Sequence, residues 1–79
     1  MLIYILERNN MEKNKVLEQC RIEKGLSYQD MADRVKISKV YYWQIENNKR
    51  RILYEQAFKI AKALDKKPDD LFYHLFQQN

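Results

Sequence analysis

Residues 27–48 read SYQDMADRVKISKVYYWQIENN and contain two segments that each begin with a serine suited to cap a helix. Asp30 follows Ser27 by three residues, which is the spacing of a capping box. Ser38 opens the second segment after a turn of two residues, and serine is a favoured residue at the start of a helix. The sequence therefore predicts two short helices joined by a tight turn.

Three flanking segments, residues 13–25, 53–64 and 66–76, also have helical spacing of apolar residues. Gly25 suits the left-handed position just after a helix, and Pro68 suits a first helical position. Asp69 and Asp70 then fall near the positive end of the last helix dipole. We predict an all-α fold of five short helices. The residues expected on its inner faces are Val16, Leu17, Cys20, Met31, Ala32, Val35, Tyr42, Ile45, Leu53, Ala57, Ile60, Ala61 and Leu64.

Composition favours a single small globular domain: 79 residues, 46% hydrophobic and 33% charged, with one glycine and one proline. The net charge is +4. The excess lies in residues 36–51, which carry five basic residues against Glu46 alone. Such a patch indicates a polyanionic partner. Nucleic acid is the first candidate, and an acidic protein or a membrane surface is the second. The alternative is a solvated charged loop that binds no partner.

Little in the sequence indicates a catalytic or membrane protein. A lone Cys20 excludes an internal disulfide and fits the cytoplasm. The apolar run at residues 2–6 is too short to span a membrane. His74 has no cysteine or histidine at ligand spacing, so no metal is expected. We find no nucleophile–base pair and no glycine-rich phosphate loop. We therefore expect no enzyme activity, no cofactor, no small-molecule substrate and no membrane partner.

The two capped helices have the layout of a helix-turn-helix, whose second helix enters the major groove of DNA. Beyond the layout, four segments carry a closer likeness: RIEKGLS (21–27), QDMADRVKIS (29–38), YWQIENNKR (42–50) and FKIAKALDKKPDDLF (58–72). In these, the chain resembles the Cro/repressor-type (XRE-like) helix-turn-helix family. The resemblance implies a five-helix lambda-repressor-like domain that binds double-stranded DNA, usually as a transcriptional regulator and often as a homodimer on a palindromic site. We expect this protein to be a small repressor.

The resemblance also implies roles for individual residues. Ala32 matches the small residue where the second and third helices cross, and Ile37 and Ile45 match core positions. Arg21 and Glu46 match a family ion pair. The positions matching family contacts to bases, phosphates and sugars, with recognition helix 38–47 at their centre, are Ser27, Tyr28, Gln29, Ser38, Lys39, Val40, Tyr41, Gln44, Asn47, Lys49, Arg50 and Arg51. Of these, Gln44 can pair with adenine, and Lys39 can reach guanine or a phosphate.

The chain departs from the family pattern at several positions. Lys36 and Asn48 stand where glycine is common, and a left-handed backbone at Lys36 would cost about 1 kcal/mol. Tyr28 replaces a frequent phosphate-contacting glutamine. Ile52 and Leu53 replace a Pro-Ser helix start, so we expect the fourth helix to lack a side-chain cap.

Tyr41, Tyr42 and Trp43 are consecutive on the second helix of the motif, so they point about 100° apart. We predict Tyr42 in the core, because the family has an aliphatic core residue there. Tyr41 is then the candidate to face DNA. Two roles stay open for Trp43: it packs on a neighbouring helix, or it contacts a partner.

The two ends leave alternatives open. The run LFYHLF, residues 71–76, either forms a dimer seam or caps the core. Residues 1–10 form an extension to the domain of residues 11–79. This extension is a strand or arm across a dimer, a segment packed on the domain, or an artefact of start choice before Met11. The aromatic content, 13%, supports an alternative function: a helix-turn-helix scaffold used as a protein–protein interaction module.

Overall fold

The computed structural model describes residues 13–76, with side chains to Tyr73. This part of the chain is helical throughout apart from turns, and it contains α1 (Lys15–Glu23), α2 (Tyr28–Val35), α3 (Lys39–Glu46), α4 (Tyr54–Ala63) and α5 (Pro68–Phe76). The backbone of Phe72 departs from helical geometry inside α5. The all-α, five-helix prediction is confirmed. The extension at residues 1–10 lies outside the described residues.

Side chains cap α2 and α3 as the sequence predicts. The Ser27 hydroxyl accepts from the Asp30 N–H at 3.0 Å, and the Asp30 carboxylate accepts from the Ser27 N–H at 2.9 Å. The Ser38 hydroxyl accepts from the Tyr41 N–H at 3.0 Å. At α4 the cap position is Leu53, which makes no side-chain hydrogen bond. Each helix of the motif therefore has a fixed first residue, and α4 lacks a side-chain cap as expected.

Four helices are followed, one or two positions beyond their last residue, by a residue with left-handed backbone: Gly25, Lys36, Asn48 and Asp65, with φ of 70°, 63°, 57° and 59°. After each one, the next N–H donates to a carbonyl five residues back, as from Ile37 to Ala32 at 3.0 Å. This is the hydrogen-bond pattern of a Schellman motif. The left-handed turn that the family fills with glycine therefore persists here with lysine.

The core is a single cluster in which all five helices take part. Ala32 is fully buried, as expected at the helix crossing, and Ile37 packs against the cluster while remaining half-buried. The buried apolar members are Leu17, Met31, Ala32, Val35, Tyr42, Ile45, Ala57, Ile60, Ala61, Leu64, Leu71 and Phe72.

Two inner-face predictions, Leu53 and Val16, were wrong, and a third, Cys20, was confirmed in part. Leu53 is 63% exposed, because it is the extended residue before α4 and so lies off the helical stripe. Val16 is exposed, and Cys20 is only partly buried against the core. On α1 the inward positions are taken by Leu17 and by Arg21, which has a buried acidic partner.

The start of the C-terminal apolar run caps the core. Leu71 and Phe72 are 2% and 1% exposed. Tyr73 points outward and is 61% exposed. The capping interpretation is thus confirmed for the first two residues of the run, while a dimer seam formed by the rest stays a prediction.

Candidate nucleic-acid interface

A buried ion pair supports α3 from beneath. Arg21 donates from Nε and Nη2 to the two carboxylate oxygens of Glu46, at 2.9 and 3.0 Å. The Tyr42 hydroxyl donates to the same carboxylate at 2.7 Å. Glu46 is fully buried and Arg21 is 8% exposed. The hydrogen bonds to Glu46 raise the pKa of Arg21, and burial raises the pKa of Tyr42. The ion pair that the resemblance implied is confirmed.

Arg21 also holds the start of α2. Its Nη1 donates to the Leu26 carbonyl at 2.8 Å, and its guanidinium lies 4.3 Å from the centre of the Tyr28 ring. The Tyr28 ring in turn lies 6.1 Å from that of Tyr42. Tyr28, a predicted DNA contact, is therefore half-buried with its ring packed inward. The adjacent residues Ser27 and Gln29, which are also predicted DNA contacts, are exposed.

Asn14 ties three helices together, a role that sequence reasoning missed. Its side-chain oxygen accepts from the Leu17 N–H at 3.1 Å and so caps α1. Its Nδ2 donates to the Leu71 carbonyl at 2.7 Å, and its backbone N–H donates to the Glu46 carbonyl at 2.7 Å. An asparagine before a helix signals a cap, but nothing in the sequence signals its contacts with α3 and α5.

The N-terminal turn of α3 is open to solvent. Ser38, Lys39 and Val40 are exposed, with Val40 at 64%. No acidic residue lies in this turn. These three predicted contact residues thus lie together at the positive end of the helix dipole, where an anionic partner is favoured.

The middle of α3 carries a linked group of side chains. Arg50 donates from Nη1 to Gln44 Oε1 at 3.3 Å, and its guanidinium lies 4.4 Å from the centre of the Tyr41 ring. The Tyr41 hydroxyl donates to Gln56 of α4 at 2.6 Å. We call Gln44, Arg50, Tyr41 and Gln56 the Arg50 cluster. It brings together three of the predicted contacts, and its fourth member, Gln56, was not among the predicted residues.

The aromatic run divides between core and surface. Tyr42 is fully buried, as predicted. Tyr41 is half-buried and partly packed on the core, so only part of its ring is available to a partner. Trp43 is 40% exposed, and its backbone carbonyl accepts from Asn47 Nδ2 at 2.9 Å. Trp43 is therefore partly exposed, and its contact with a partner stays a prediction.

The loop after α3 supplies the remaining cations. Lys49, Arg50 and Arg51 are exposed, and no side chain of residues 13–73 forms an ion pair with them. The one acidic residue of the stretch 36–51, Glu46, is buried and paired with Arg21. The surface formed by this stretch therefore presents only positive charge.

The described residues contain neither a cluster of metal-ligating side chains nor a membrane-spanning helix. No group of three or more histidine, cysteine, aspartate or glutamate residues in this part of the chain is placed to hold a metal ion. None of its helices is long and apolar enough to cross a membrane.

Comparison with known proteins agrees with this arrangement. A family model for helix-turn-helix domains matches residues 17–71, more than half of the chain. The chain belongs to the Cro/C1-type helix-turn-helix family of DNA-binding transcriptional regulators. A comparison with curated protein sequences gave no match.

Two solved structures are similar to this helix-turn-helix protein. The restriction-modification controller protein C.AhdI from Aeromonas hydrophila is 30% identical, with a TM-score of 0.70, over 75% of this chain and 89% of that one. The clp gene regulator ClgR from Corynebacterium glutamicum is 20% identical, also with a TM-score of 0.70, over 76% of this chain and 64% of that one. The second likeness shows the fold alone.

Proposed function

We propose that this regulator recognises a specific double-stranded DNA sequence by placing α3 in the major groove. Ser38, Lys39, Val40 and Gln44 would read bases or flanking phosphates, while Asn47, Lys49, Arg50 and Arg51 hold the sugar-phosphate backbone. Ser27 and Gln29 would contact phosphates at the start of α2. Regulation would be steric, by occupying the DNA as a repressor.

The observation that carries the proposal is the purely cationic surface of residues 36–51. Glu46 would otherwise repel phosphates, but it is buried and neutralised by Arg21. Lys39, Lys49, Arg50 and Arg51 are exposed without a carboxylate partner among residues 13–73. Clustered cations without a carboxylate partner suit the phosphates of a DNA backbone. They lie beside a helix that is narrow enough to enter the major groove.

The test is a fluorescence anisotropy titration of random duplex DNA at several salt concentrations. About five phosphate contacts per subunit predict a slope of about −4.5 in log affinity against log salt. Replacing Lys49, Arg50 and Arg51 with alanine should reduce that slope by about 2 to 3.

A matched control replaces Lys62, Lys66 and Lys67 with alanine, which removes the same charge from exposed positions outside the proposed surface. We expect this control to keep most of the affinity. Equal losses in the two variants, or no salt-sensitive binding by the wild-type protein, would contradict the DNA proposal.

The exposed aromatic residues support a second proposal, that two copies of the protein associate as a homodimer. Tyr54 and Phe58 lie four apart on α4, and they are 62% and 48% exposed. Leu53 and Tyr73 are also exposed. A dimer would place two α3 helices on half-sites of a palindrome about 34 Å apart. Sedimentation equilibrium on the wild type and on a Phe58→Glu variant tests this, because a dimer built on α4 should dissociate in the variant.

The rival function is a scaffold that binds another protein and no DNA. It predicts no salt-sensitive binding of duplex DNA by the wild-type protein. Our proposal takes residues 11–79 as the DNA-binding unit, residues 1–10 as an extension to it and the cytoplasm as its location. It assigns the chain no enzymatic activity and requires no cofactor.

A further inference from the structure

We propose that Arg50 is a specificity-determining positioning residue, which orients Gln44 for base recognition, and is more than a phosphate contact. The inference rests on the proposed DNA-binding function. It is carried by the Arg50 cluster, where a cation from the loop after α3 contacts one predicted base-reading side chain and one ring of α3.

The chemistry of the guanidinium fixes the orientation of the Gln44 amide. Arginine has only hydrogen-bond donors, so the group that faces it at 3.3 Å must be the amide oxygen of Gln44. The amide N–H2 of Gln44 then lies on the other side of the group. An unrestrained glutamine samples both orientations, whereas the hydrogen bond from Arg50 favours one of them before any DNA binds.

Arg50 is itself held in place. Its guanidinium lies 4.4 Å from the centre of the Tyr41 ring, within the range of a cation–π contact. The Tyr41 hydroxyl donates to Gln56 of α4 at 2.6 Å, which fixes the ring against a different helix. The orientation of Gln44 therefore depends on α4 through two intermediate side chains.

This arrangement makes a prediction that a phosphate contact does not. An arginine that only neutralises a phosphate adds the same affinity to every DNA sequence, so its loss lowers all affinities alike and reduces the salt slope. An arginine that orients Gln44 lowers the entropic cost of one hydrogen-bonded geometry. Its loss should therefore reduce the preference among bases at the position that Gln44 reads.

The experiment first selects the preferred duplex from a random pool, and then identifies the base pair whose preference disappears in Gln44→Ala. Affinities for the four variants of that base pair, and the salt slope on random duplex, are measured for each protein. Arg50→Lys keeps the charge but loses the planar stacking surface. We expect its salt slope to be unchanged and its preference at this base pair to fall by about five- to tenfold.

Two further variants test the support from Tyr41 without changing charge. Tyr41→Leu removes both the ring and the hydroxyl, and should lower the preference in the same direction as Arg50→Lys. Tyr41→Phe keeps the ring and loses the bond to Gln56, so it should cause a smaller fall. Arg34→Lys is the matched control, since Arg34 is an exposed arginine of α2 that lies outside the cluster and outside the proposed DNA contacts, and its preference should equal that of the wild type. Circular dichroism confirms that each variant is folded.

The possible failures are distinguishable. No salt-sensitive binding by the wild type would overturn the proposed function and this inference together. DNA binding with full base preference retained in Arg50→Lys and Tyr41→Leu would overturn the positioning role alone. An equal loss of preference in Arg34→Lys would also overturn it, because the effect would then belong to any exposed arginine.

Discussion

Replacing Glu46 with glutamine should remove a large part of the stability of the domain. Glu46 accepts two hydrogen bonds from Arg21 and one from Tyr42 while fully buried. Glutamine keeps the shape, but it offers only one oxygen, and its amide N–H2 faces a donor of Arg21. The variant leaves a buried guanidinium without a counter-charge.

The expected magnitude follows from that unpaired charge. Breaking a buried ion pair by removing one partner costs about 3–5 kcal/mol. A chain of 79 residues has a total stability of about 4–12 kcal/mol. The melting temperature should fall by roughly 12–40 °C. The loss is comparable with the whole stability only at the lower end of that range, and a wild type of that stability should give a variant that is partly unfolded at room temperature.

Urea unfolding followed by circular dichroism and Trp43 fluorescence measures the effect. Glu55→Gln is the matched control, because Glu55 forms an exposed pair with Lys59 at 3.8 Å and its loss should change stability by less than about 0.5 kcal/mol. In a double-mutant cycle, Arg21→Met in the Glu46→Gln background removes the unpaired charge. The double variant should therefore be more stable than the sum of the single losses predicts, by about 2 kcal/mol or more. A single loss below about 1 kcal/mol, or additive losses, would refute the reasoning.

Three further predictions concern the helix ends. Ser38→Ala removes the cap of α3 and should lower the free energy of unfolding by about 1 kcal/mol in a urea titration; no change would show that the hydroxyl does not cap. Lys36→Gly should raise it by about 1 kcal/mol, because only glycine adopts the left-handed backbone without strain, whereas Lys36→Ala should give no gain. The hydrogen bond from the Ser27 N–H lowers the pKa of Asp30 below 3.8 in the folded protein, so this contribution to stability is complete above pH 3.8 and is lost as the pH falls through the folded pKa. Between about pH 4 and pH 2, the free energy of unfolding should therefore fall less in the Asp30→Asn variant than in the wild type. Equal falls in the two proteins would contradict this.

The sequence predicted best where structure depends on neighbours along the chain. Ser27 and Ser38 cap helices because their hydroxyls reach an N–H three residues on, which is a purely local geometry. Gly25 and Pro68 mark helix ends for equally local reasons. Leu53 shows the limit of that reasoning: it matched the apolar spacing of α4, but a difference of one residue in the helix start moved it off the stripe.

Contacts between distant residues were beyond the reach of periodicity. The bonds from Asn14 to Leu71 and from Tyr41 to Gln56 join residues 57 and 15 positions apart, and they exist only because the helices pack at particular angles. The resemblance supplied the Arg21–Glu46 pair because the family carries it. It could not supply the Arg50 cluster, because it gave Gln44, Tyr41 and Arg50 contacts with DNA and none with one another or with Gln56.

Glu46 illustrates how burial changes what a charge count means. By sequence, residues 36–51 carry five positive charges and one negative charge, so Glu46 reduces the patch. In the fold, Arg21 reaches across from α1 and pairs with Glu46 beneath α3, so a positive charge from outside the stretch neutralises it. The carboxylate then exerts little field at the surface, and it stabilises the helix that presents the cations. The basic surface therefore depends on the ion pair beneath it. The first effect of Glu46→Gln should be a loss of stability, and its effect on DNA affinity should be measured only in the fraction of molecules that remains folded.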